Sequence, residues 1–163
     1  MDEDKCIFCK LSRGGTGIFE MYGEMPFVAV FDRYPVAPGH LLIIPRRHVA
    51  KLADLDPSEW RLLKVFMQWC EVLVLSVDLR QIYFGYTNNP LDERSLEFCR
   101  AALEHPRINT DPDGYNWGVN EGEAAGQTVP HLHIHLIPRY LGDMDDPTGG
   151  VRHVIPEKGN YKK

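Results

Sequence analysis

The sequence lacks any long hydrophobic run that could place the chain in a membrane. Its longest apolar region, residues 62–79, is interrupted by Lys64, Glu71 and Asp78, so it is too charged to span a bilayer. The first five residues are acidic and contain no apolar run, which argues against a secretory signal. We therefore expect a cytoplasmic protein whose thiols are reduced.

Positive charge is also in short supply. The chain has 18 Lys and Arg against 23 Asp and Glu, a net charge of -5, and a pI near 5.8. This balance argues against nucleic acid or an anionic membrane as the main partner, although a local basic patch could still serve a phosphate. With 163 residues and 44% apolar composition, we expect one globular domain with a sizeable core.

Cysteine is scarce, and only one close pair occurs. Cys6 and Cys9 form a Cys-x-x-Cys motif without a second such pair, while Cys70 and Cys99 have the character of ordinary buried residues. The motif is compatible with two plain thiols or with half of a tetrahedral metal site. A complete site needs two more ligands, and histidine is the available type.

The most informative stretch is a row of three histidines, His131, His133 and His135, which alternate with aliphatic residues. Strict alternation predicts a half-buried β-strand, with the aliphatic residues in the core and all three imidazoles on the other face. The histidines would be spaced roughly 7 Å apart, given a rise of about 3.3 Å per residue. Folding alone does not require a face made only of imidazole.

Two chemistries use such a row: a metal site, and nucleophilic attack on a phosphate with neighbouring imidazoles holding its oxygens. The preceding Gly126, Gln127 and Thr128 favour the phosphate, because they offer close backbone approach, an amide and a hydroxyl. A catalytic zinc centre usually has carboxylates beside its histidines, and none lies between Glu123 and Asp143.

This row, with its surroundings, resembles the histidine triad family of nucleotide hydrolases and transferases. The resemblance covers about three quarters of the chain, and its tail is similar to a bacterial and archaeal branch described as diadenosine-tetraphosphate-hydrolase-like. The matching segments are residues 31–35, 38–45, 47–48, 113–122, 124–128, 131–140 and 149–156.

The resemblance implies an α+β fold, with about five antiparallel strands, one long helix packed on the sheet, and a helical or loop insertion. We expect a single domain with a core at about 4–142, an insertion at about 81–112 and a tail at 143–163. The residues themselves predict strands at 18–22, 27–31, 40–45, 115–120 and along the triad, and a hairpin turn at 23–26.

The long helix has a clear start. Asp56 is a good N-cap, Pro57 suits the first turn and Glu59 completes a capping box, so we predict a helix to about Ser76. The resemblance implies a homodimer, and a wide apolar helix fits such an interface. The stripe that we expect to pack on the sheet comprises Leu62, Val65, Phe66, Trp69, Val72 and Leu73, widened by Val74, Leu75 and Val77.

Residues 81–112 depart from the family pattern, in which this connection is short. Residues 86–90 have the composition of a loop, and residues 92–104 could form a short helix. A segment of this length could cover the substrate site, extend a dimer contact or do neither.

The resemblance also implies a mechanism that needs no catalytic cofactor. His133 is the expected nucleophile toward an α-phosphorus, with its other ring nitrogen held by a backbone carbonyl of the same strand. His135 and Thr128 are expected to hydrogen-bond phosphate oxygens, and Gln127 to sit near the bridging oxygen. The expected substrate is a purine nucleotide, either a dinucleoside polyphosphate or a nucleoside phosphoramidate.

Further site residues follow from the same resemblance. Asp32 is expected to bond the ribose hydroxyls and Asn120 to contact the nucleotide or its phosphate, although either could simply be a turn residue. Arg46 and Arg47 are more readily explained as solvated surface than as phosphate ligands. Zinc-containing members imply a structural Cys2His2 site formed here by Cys6, Cys9, His48 and His131.

Two other classes of function stay open. The chain could be a nucleotide-binding or interaction module whose catalysis is incidental. It could instead be a metal-dependent hydrolase that uses the three triad histidines as ligands.

Overall fold

The computed structural model describes residues 3–15, 17–21 and 23–162 of the chain. Its centre is an antiparallel sheet of five strands in the order β1-β2-β3-β5-β4, which confirms the expected α+β class. Every residue of the middle strand, β3, is buried, as its nearly continuous apolar sequence predicts. The strands are β1 (Ile18–Phe19), β2 (Phe27–Phe31), β3 (Leu41–Pro45), β4 (Gly114–Val119) and β5 (Ile134–Arg139).

The first strand is shorter than the predicted 18–22, and Tyr22 lies outside the described residues. It still pairs antiparallel with β2, with Ile18 opposite Val30, as the predicted hairpin requires. The sheet turns from β2 to β3 through Gly39, whose φ of +84° suits glycine. A Cβ at this position would lie 2.9 Å from the side chain of Val74, so only glycine fits without displacement.

Within the described residues, four α-helices accompany the sheet: α1 (Ile7–Ser12), α2 (Pro57–Ser76), α3 (Leu79–Asn88) and α4 (Glu93–Glu104). The start of α2 is as predicted. The Asp56 carboxylate accepts hydrogen bonds from the amides of Ser58 and Glu59, while Glu59 accepts from the Asp56 amide at 2.8 Å. Within the described ranges, no helix is long and apolar enough to cross a membrane.

The two faces of the sheet carry different layers, because neighbouring strand residues point in opposite directions. Phe27, Ala29 and Phe31 pack into a core with the buried residues of α2, α3 and α4. Val28 and Val30 belong to a smaller cluster under α1, which includes Cys6, Phe8 and Cys9. The histidines of the triad segment therefore share their face of the sheet with α1.

The predicted packing face of α2 is partly wrong. Phe66 and Leu73 are buried as expected, whereas Leu62, Val65 and Val72 are exposed and Trp69 is half-buried. The helix is apolar around much of its circumference, so periodicity alone does not fix its rotation on the sheet. The buried stripe comprises Leu63, Phe66, Cys70, Leu73 and Val74.

The segment 81–112 is mostly helical. Residues 86–88, predicted as loop, form the last turn of α3, which starts at the N-cap Asp78 and buries Tyr83. The short helix predicted over residues 92–104 is present as α4, and Asp92 is its N-cap. Helices α3 and α4 pack on each other and on the same core as α2.

The triad strand begins later than predicted. Strand β5 starts at Ile134, so His131 and His133 precede it and only His135 lies within it. Pairing with β3 covers Leu41 to Ile43, and farther along β3 Pro45 has no amide to donate. The alternation nevertheless holds, since Leu132, Ile134 and Leu136 are all buried in the main core.

Candidate functional site

Four candidate metal ligands lie together at the junction of α1 and the sheet. Cys6 and Cys9 flank the start of α1, His48 follows β3 and His131 precedes β5. One ligand atom from each lies within 4.8 Å of all the others. Cys9 Sγ is 3.1 Å from His48 Nδ1, and Cys6 Sγ is 3.4 Å from His131 Nδ1.

These distances suit a tetrahedral zinc ion. Zn–S and Zn–N bonds of about 2.3 and 2.0 Å place neighbouring donors about 3.5 Å apart. The Nε2 atom of His131 lies 2.9 Å from the Pro45 carbonyl, so it donates there and leaves the Nδ1 lone pair toward the cysteines. The residues present therefore fit a structural zinc with four protein ligands.

His133 is fixed in one tautomer by its own backbone segment. Its Nδ1 lies 2.8 Å from the carbonyl oxygen of His131, so Nδ1 carries the proton and the lone pair is on Nε2. The ring packs 5.1 Å from that of Phe8 and 5.1 Å from that of His135, measured between centroids. A buried imidazole held this way is pre-oriented as a nucleophile.

A cavity of about 250 Å³ opens beside His133. It brings together four of the predicted site residues, Asp32, Thr128, His133 and His135. Its other walls are largely apolar and come from α1, β2, β3 and the turn between α3 and α4: Ile7, Phe8, Leu11, Val30, Phe31, Leu42, Leu91 and Val129, with Arg33 and Tyr34. We call this the His133 cavity.

His40, at the start of β3, fixes the tautomer of His135. The amide of Val36 donates to His40 Nδ1 at 3.3 Å, so the proton of a neutral His40 is on Nε2. That atom lies 3.0 Å from His135 Nδ1, which must accept and therefore carries its own proton on Nε2. Among the described residues, Nε2 of His135 is buried without a hydrogen-bond partner, which leaves a donor for a ligand oxygen.

The electrostatics support neutral rings at this contact. Burial lowers the pKa of His40 to about 4, with His135 adding to the effect and Asp32 opposing it. Burial also lowers the pKa of His135, and the neighbouring His133 adds to this. The Asp32 carboxylate lies 3.6 Å from His40 Nδ1 and accepts from the Tyr34 amide at 2.8 Å.

Two predicted site residues lie outside the His133 cavity. Asn120 lines a second cavity of about 550 Å³, which shares His135 and also contains His40. The C-terminal segment supplies Val151 and Val154 to its wall. Gln127 lines neither cavity: its carboxamide accepts from the Gly122 amide at 2.8 Å and donates to the Ala50 carbonyl at 3.1 Å.

The two arginines after β3 are exposed and line neither cavity, as expected for surface residues, and both also form ion pairs. Arg47 forms a two-pronged ion pair with the buried Glu59, at 2.6 and 3.2 Å. Arg46 donates to the carbonyl of Ser12 at 2.6 Å and pairs with Glu20. These contacts attach the loop that carries His48 to two helices, because the guanidinium of Arg47 binds Glu59 in α2 and that of Arg46 binds the Ser12 carbonyl in α1.

His40 is the residue that sequence reasoning left without a role. A histidine directly after a glycine, at the head of an apolar central strand, was the available signal. Phe8 and Leu91 gave no comparable signal, since a phenylalanine between two cysteines and a leucine after a proline have ordinary structural uses.

Comparison with known proteins agrees with this geometry. Residues 21–142 match the family model described as HIT domain. The chain belongs to the HIT family. The HIT chain is 31% identical over 144 residues to AP-4-A phosphorylase of Mycobacterium tuberculosis, which covers 86% of this chain and 56% of that protein. It is 29% identical over 137 residues to adenylylsulfatase HINT3 of Arabidopsis thaliana, at 84% and 53% coverage.

The HIT chain thus spans about half the length of these two relatives. Among solved structures, it is similar to the crystal structure of a Zn-bound histidine triad family protein from Mycobacterium smegmatis. The TM-score is 0.52 and the identity 27%, with 86% of this chain and 79% of that chain covered.

Proposed function

We propose that this HIT protein is a nucleotide hydrolase or transferase that acts through a covalent nucleotidyl-His133 intermediate. The hydrogen bond from His133 Nδ1 to the His131 carbonyl is the observation that carries the proposal. It fixes the lone pair on Nε2 in a residue that lines a cavity with three further polar site residues. Nucleophilic catalysis by histidine needs such a fixed tautomer.

The proposed first step is in-line attack of His133 Nε2 on the α-phosphorus. The N–P bond forms while the bond from phosphorus to the leaving oxygen breaks, and that oxygen keeps the electron pair. The imidazole gains positive charge, which the His131 carbonyl at Nδ1 stabilises. Water then attacks phosphorus, the N–P bond breaks, and the nucleoside monophosphate leaves with a proton released to solvent.

His135 and Thr128 are the proposed donors to the phosphate oxygens. His135 presents an Nε2–H that is buried without a described partner, and Thr128 lines the same cavity. Where the leaving group is an amine, its nitrogen takes up a proton from water as the P–N bond of the substrate breaks, and the Nε2–H of His135 is the proposed hydrogen-bond donor at that bond. Gln127 remains the proposed contact for the bridging oxygen, although reaching it would cost one of its backbone hydrogen bonds.

The His133 cavity is the proposed nucleoside site. Its apolar walls suit a purine base, and the Asp32 carboxylate can accept from both hydroxyls of a ribose. His135 lines both the His133 cavity and the second cavity, which also contains Asn120. We propose that the second cavity receives the leaving group.

The names of the two relatives share one chemical feature. An adenylyl sulfate and a diadenosine tetraphosphate both carry an adenosine 5′-phosphoryl group and differ in what is displaced from it. This supports adenylyl transfer as the common step for the present chain.

Zinc is proposed as a structural ion held by Cys6, Cys9, His48 and His131. When bound, it would cross-link α1 to the segment before β5. Both nitrogens of His131 are committed, Nδ1 toward the cysteines and Nε2 to Pro45. The alternative in which all three triad histidines hold one catalytic ion is therefore not supported.

A homodimer is the proposed assembly. The outward face of α2 exposes Leu62, Val65, Val72 and Leu75 along one side of the helix. An apolar stripe of this kind on a surface helix is typical of a protein–protein interface.

The test is to incubate the protein with diadenosine tetraphosphate and, separately, with an adenosine phosphoramidate, and to separate the products by chromatography. The matched control is His133→Asn, whose side-chain amide can still donate to the His131 carbonyl but has no Nε2. AMP and ATP from the first substrate would indicate a polyphosphate hydrolase, and AMP from the second alone would indicate a phosphoramidase.

An arm with inorganic phosphate separates hydrolysis from transfer, because phosphate in place of water yields ADP. More than a few per cent of wild-type turnover in a folded His133→Asn protein would refute the nucleophile. AMP binding without turnover of any substrate would instead favour a nucleotide-binding module.

A further inference from the structure

The turn between α3 and α4, residues 89–92, is attached to the segment that carries Asp32. The hydroxyl of Tyr34 donates to Asp92 at 2.7 Å, and the guanidinium of Arg33 donates to the Asn89 carbonyl. The same guanidinium lies 4.1 Å from the centre of the Tyr86 ring in α3. The turn is therefore held against one wall of the His133 cavity.

A second set of contacts makes the turn rigid. The buried Ser95 accepts from the amides of Leu91 and Asp92 at 2.9 and 3.1 Å. The Ser95 amide in turn donates to the Asp92 carboxylate at 2.7 Å. The backbone of Leu91 is fixed by these bonds before any ligand is present, which is the condition for a preorganised binding wall.

Leu91 is the apolar side chain that this turn contributes to the cavity. It lines the His133 cavity, yet 55% of its surface is exposed. Ile7 of α1 lines the same cavity and is 49% exposed. Two half-exposed aliphatic side chains at one cavity would be covered by a flat, largely apolar ring.

We infer that the α3–α4 turn is a base-binding wall of the nucleoside site, with Leu91 as its apolar contact to the base and Ile7 as its counterpart on α1. This deepens the proposed function and rests on it. Leu91 has no side-chain hydrogen-bond group, so it recognises the face of a purine ring by apolar contact. Asp32, Thr128 and the histidines then bind the ribose and the phosphate.

The test is calorimetric binding of AMP to wild type, Leu91→Ala and Leu141→Ala. Leu141 is an exposed leucine that lines neither cavity and serves as the matched control. We expect Leu91→Ala to raise the AMP dissociation constant roughly fivefold to tenfold, from the apolar area lost on binding, and Leu141→Ala to leave it unchanged. The affinity for ribose 5-phosphate, which lacks the base, should be the same in all three.

The outcomes separate two failures. If wild type binds AMP and Leu91→Ala binds it equally well, the turn does not recognise the base, while the proposed function stands. If Leu91→Ala weakens AMP and ribose 5-phosphate alike, the effect is not on the base, and the inference is also wrong. If wild type binds no AMP, the proposed function fails and this inference with it.

Tyr34→Phe tests the attachment of the turn, because it removes the hydroxyl bonded to Asp92 and keeps the ring. We expect a smaller rise in the AMP dissociation constant than for Leu91→Ala. The double variant should bind AMP about as weakly as Leu91→Ala alone, because both changes act through one element. Full additivity would contradict the role of Tyr34 in holding the turn.

Discussion

Nε2 of His40 lies 3.0 Å from Nδ1 of His135, and this contact decides which nitrogen of His135 can donate to a ligand. His40 does not line the His133 cavity, although it lines the second cavity. Its hydrogen bond to His135 is the contact through which it orients the ring at the proposed phosphate site. It is a positioning residue. Burial keeps its ring neutral, and the hydrogen bond that its Nε2–H donates to Nδ1 of His135 places the proton of His135 on Nε2.

Replacing His40 tests this relationship. His40→Ala removes the donor to His135 Nδ1, so the ring of His135 loses its orientation, and kcat should fall roughly 10- to 100-fold. His40→Gln places an amide donor near the former Nε2 and should restore most of the lost rate. The affinity for AMP should change less than kcat in both variants. Equal kcat for the two variants would show that the donor is irrelevant.

His40 should also make stability depend on pH. In the unfolded chain His40 takes up a proton near its ordinary pKa of 6.5, whereas in the fold burial lowers its pKa to about 4. Between these values the unfolded state binds more protons, so the free energy of unfolding should fall as pH decreases from about 6.5 toward 4. Denaturant unfolding of wild type at pH 7 and 5 measures the drop. His40→Gln should show a smaller drop; an equal one would contradict the assignment.

The zinc proposal predicts one zinc per chain by elemental analysis. Cys9→Ser should reduce the zinc content and lower Tm by roughly 10 °C or more, because about 1 kcal/mol corresponds to 2–4 °C at this length and a structural ion contributes several. Cys99→Ser is the matched control, since its thiol lies outside the cluster and its new hydroxyl can still donate to the Arg33 carbonyl. A metal-free protein with unchanged Tm would refute the site.

The dimer proposal predicts that charge on the outer face of α2 disrupts assembly. Val72, 60% exposed, lies at the middle of the stripe, so Val72→Glu should convert dimer to monomer in sedimentation velocity. Leu141→Glu places the same charge on an exposed leucine outside α2 and should leave the dimer intact. A wild-type protein that sediments as a monomer at micromolar concentration would contradict the proposed homodimer.

Much of the fold was predictable where local chemistry is explicit. The Asp56 capping box gave the start of α2 to the residue, and the apolar run 41–45 gave the central strand. The alternation around His133 predicted which face of the sheet the histidines occupy. It did not predict where β5 starts, because Pro45 limits the pairing between β3 and β5. The clustering of Cys6 with His131 was predicted only from the family resemblance, since 125 positions separate the two residues.

Other features depend on tertiary placement that local sequence does not encode. The rotation of α2 was ambiguous because apolar residues occupy more than one of its faces. The docking of the α3–α4 turn beside Asp32 depends on Tyr34 and Asp92, which are 58 positions apart. The contact of His40, directly before β3, with His135 of β5 joins residues 95 positions apart, and neither histidine signals its partner in the local sequence.

The covalent intermediate is the central claim, and mass spectrometry of protein that is quenched during turnover tests it most directly. Samples with diadenosine tetraphosphate should be quenched at high pH, where a phosphorus–nitrogen bond to imidazole survives, and then digested. We predict an added AMP moiety on the peptide that contains His133, absent from His133→Asn. Full-rate AMP release without any adduct, or an adduct on a different residue, would contradict the account.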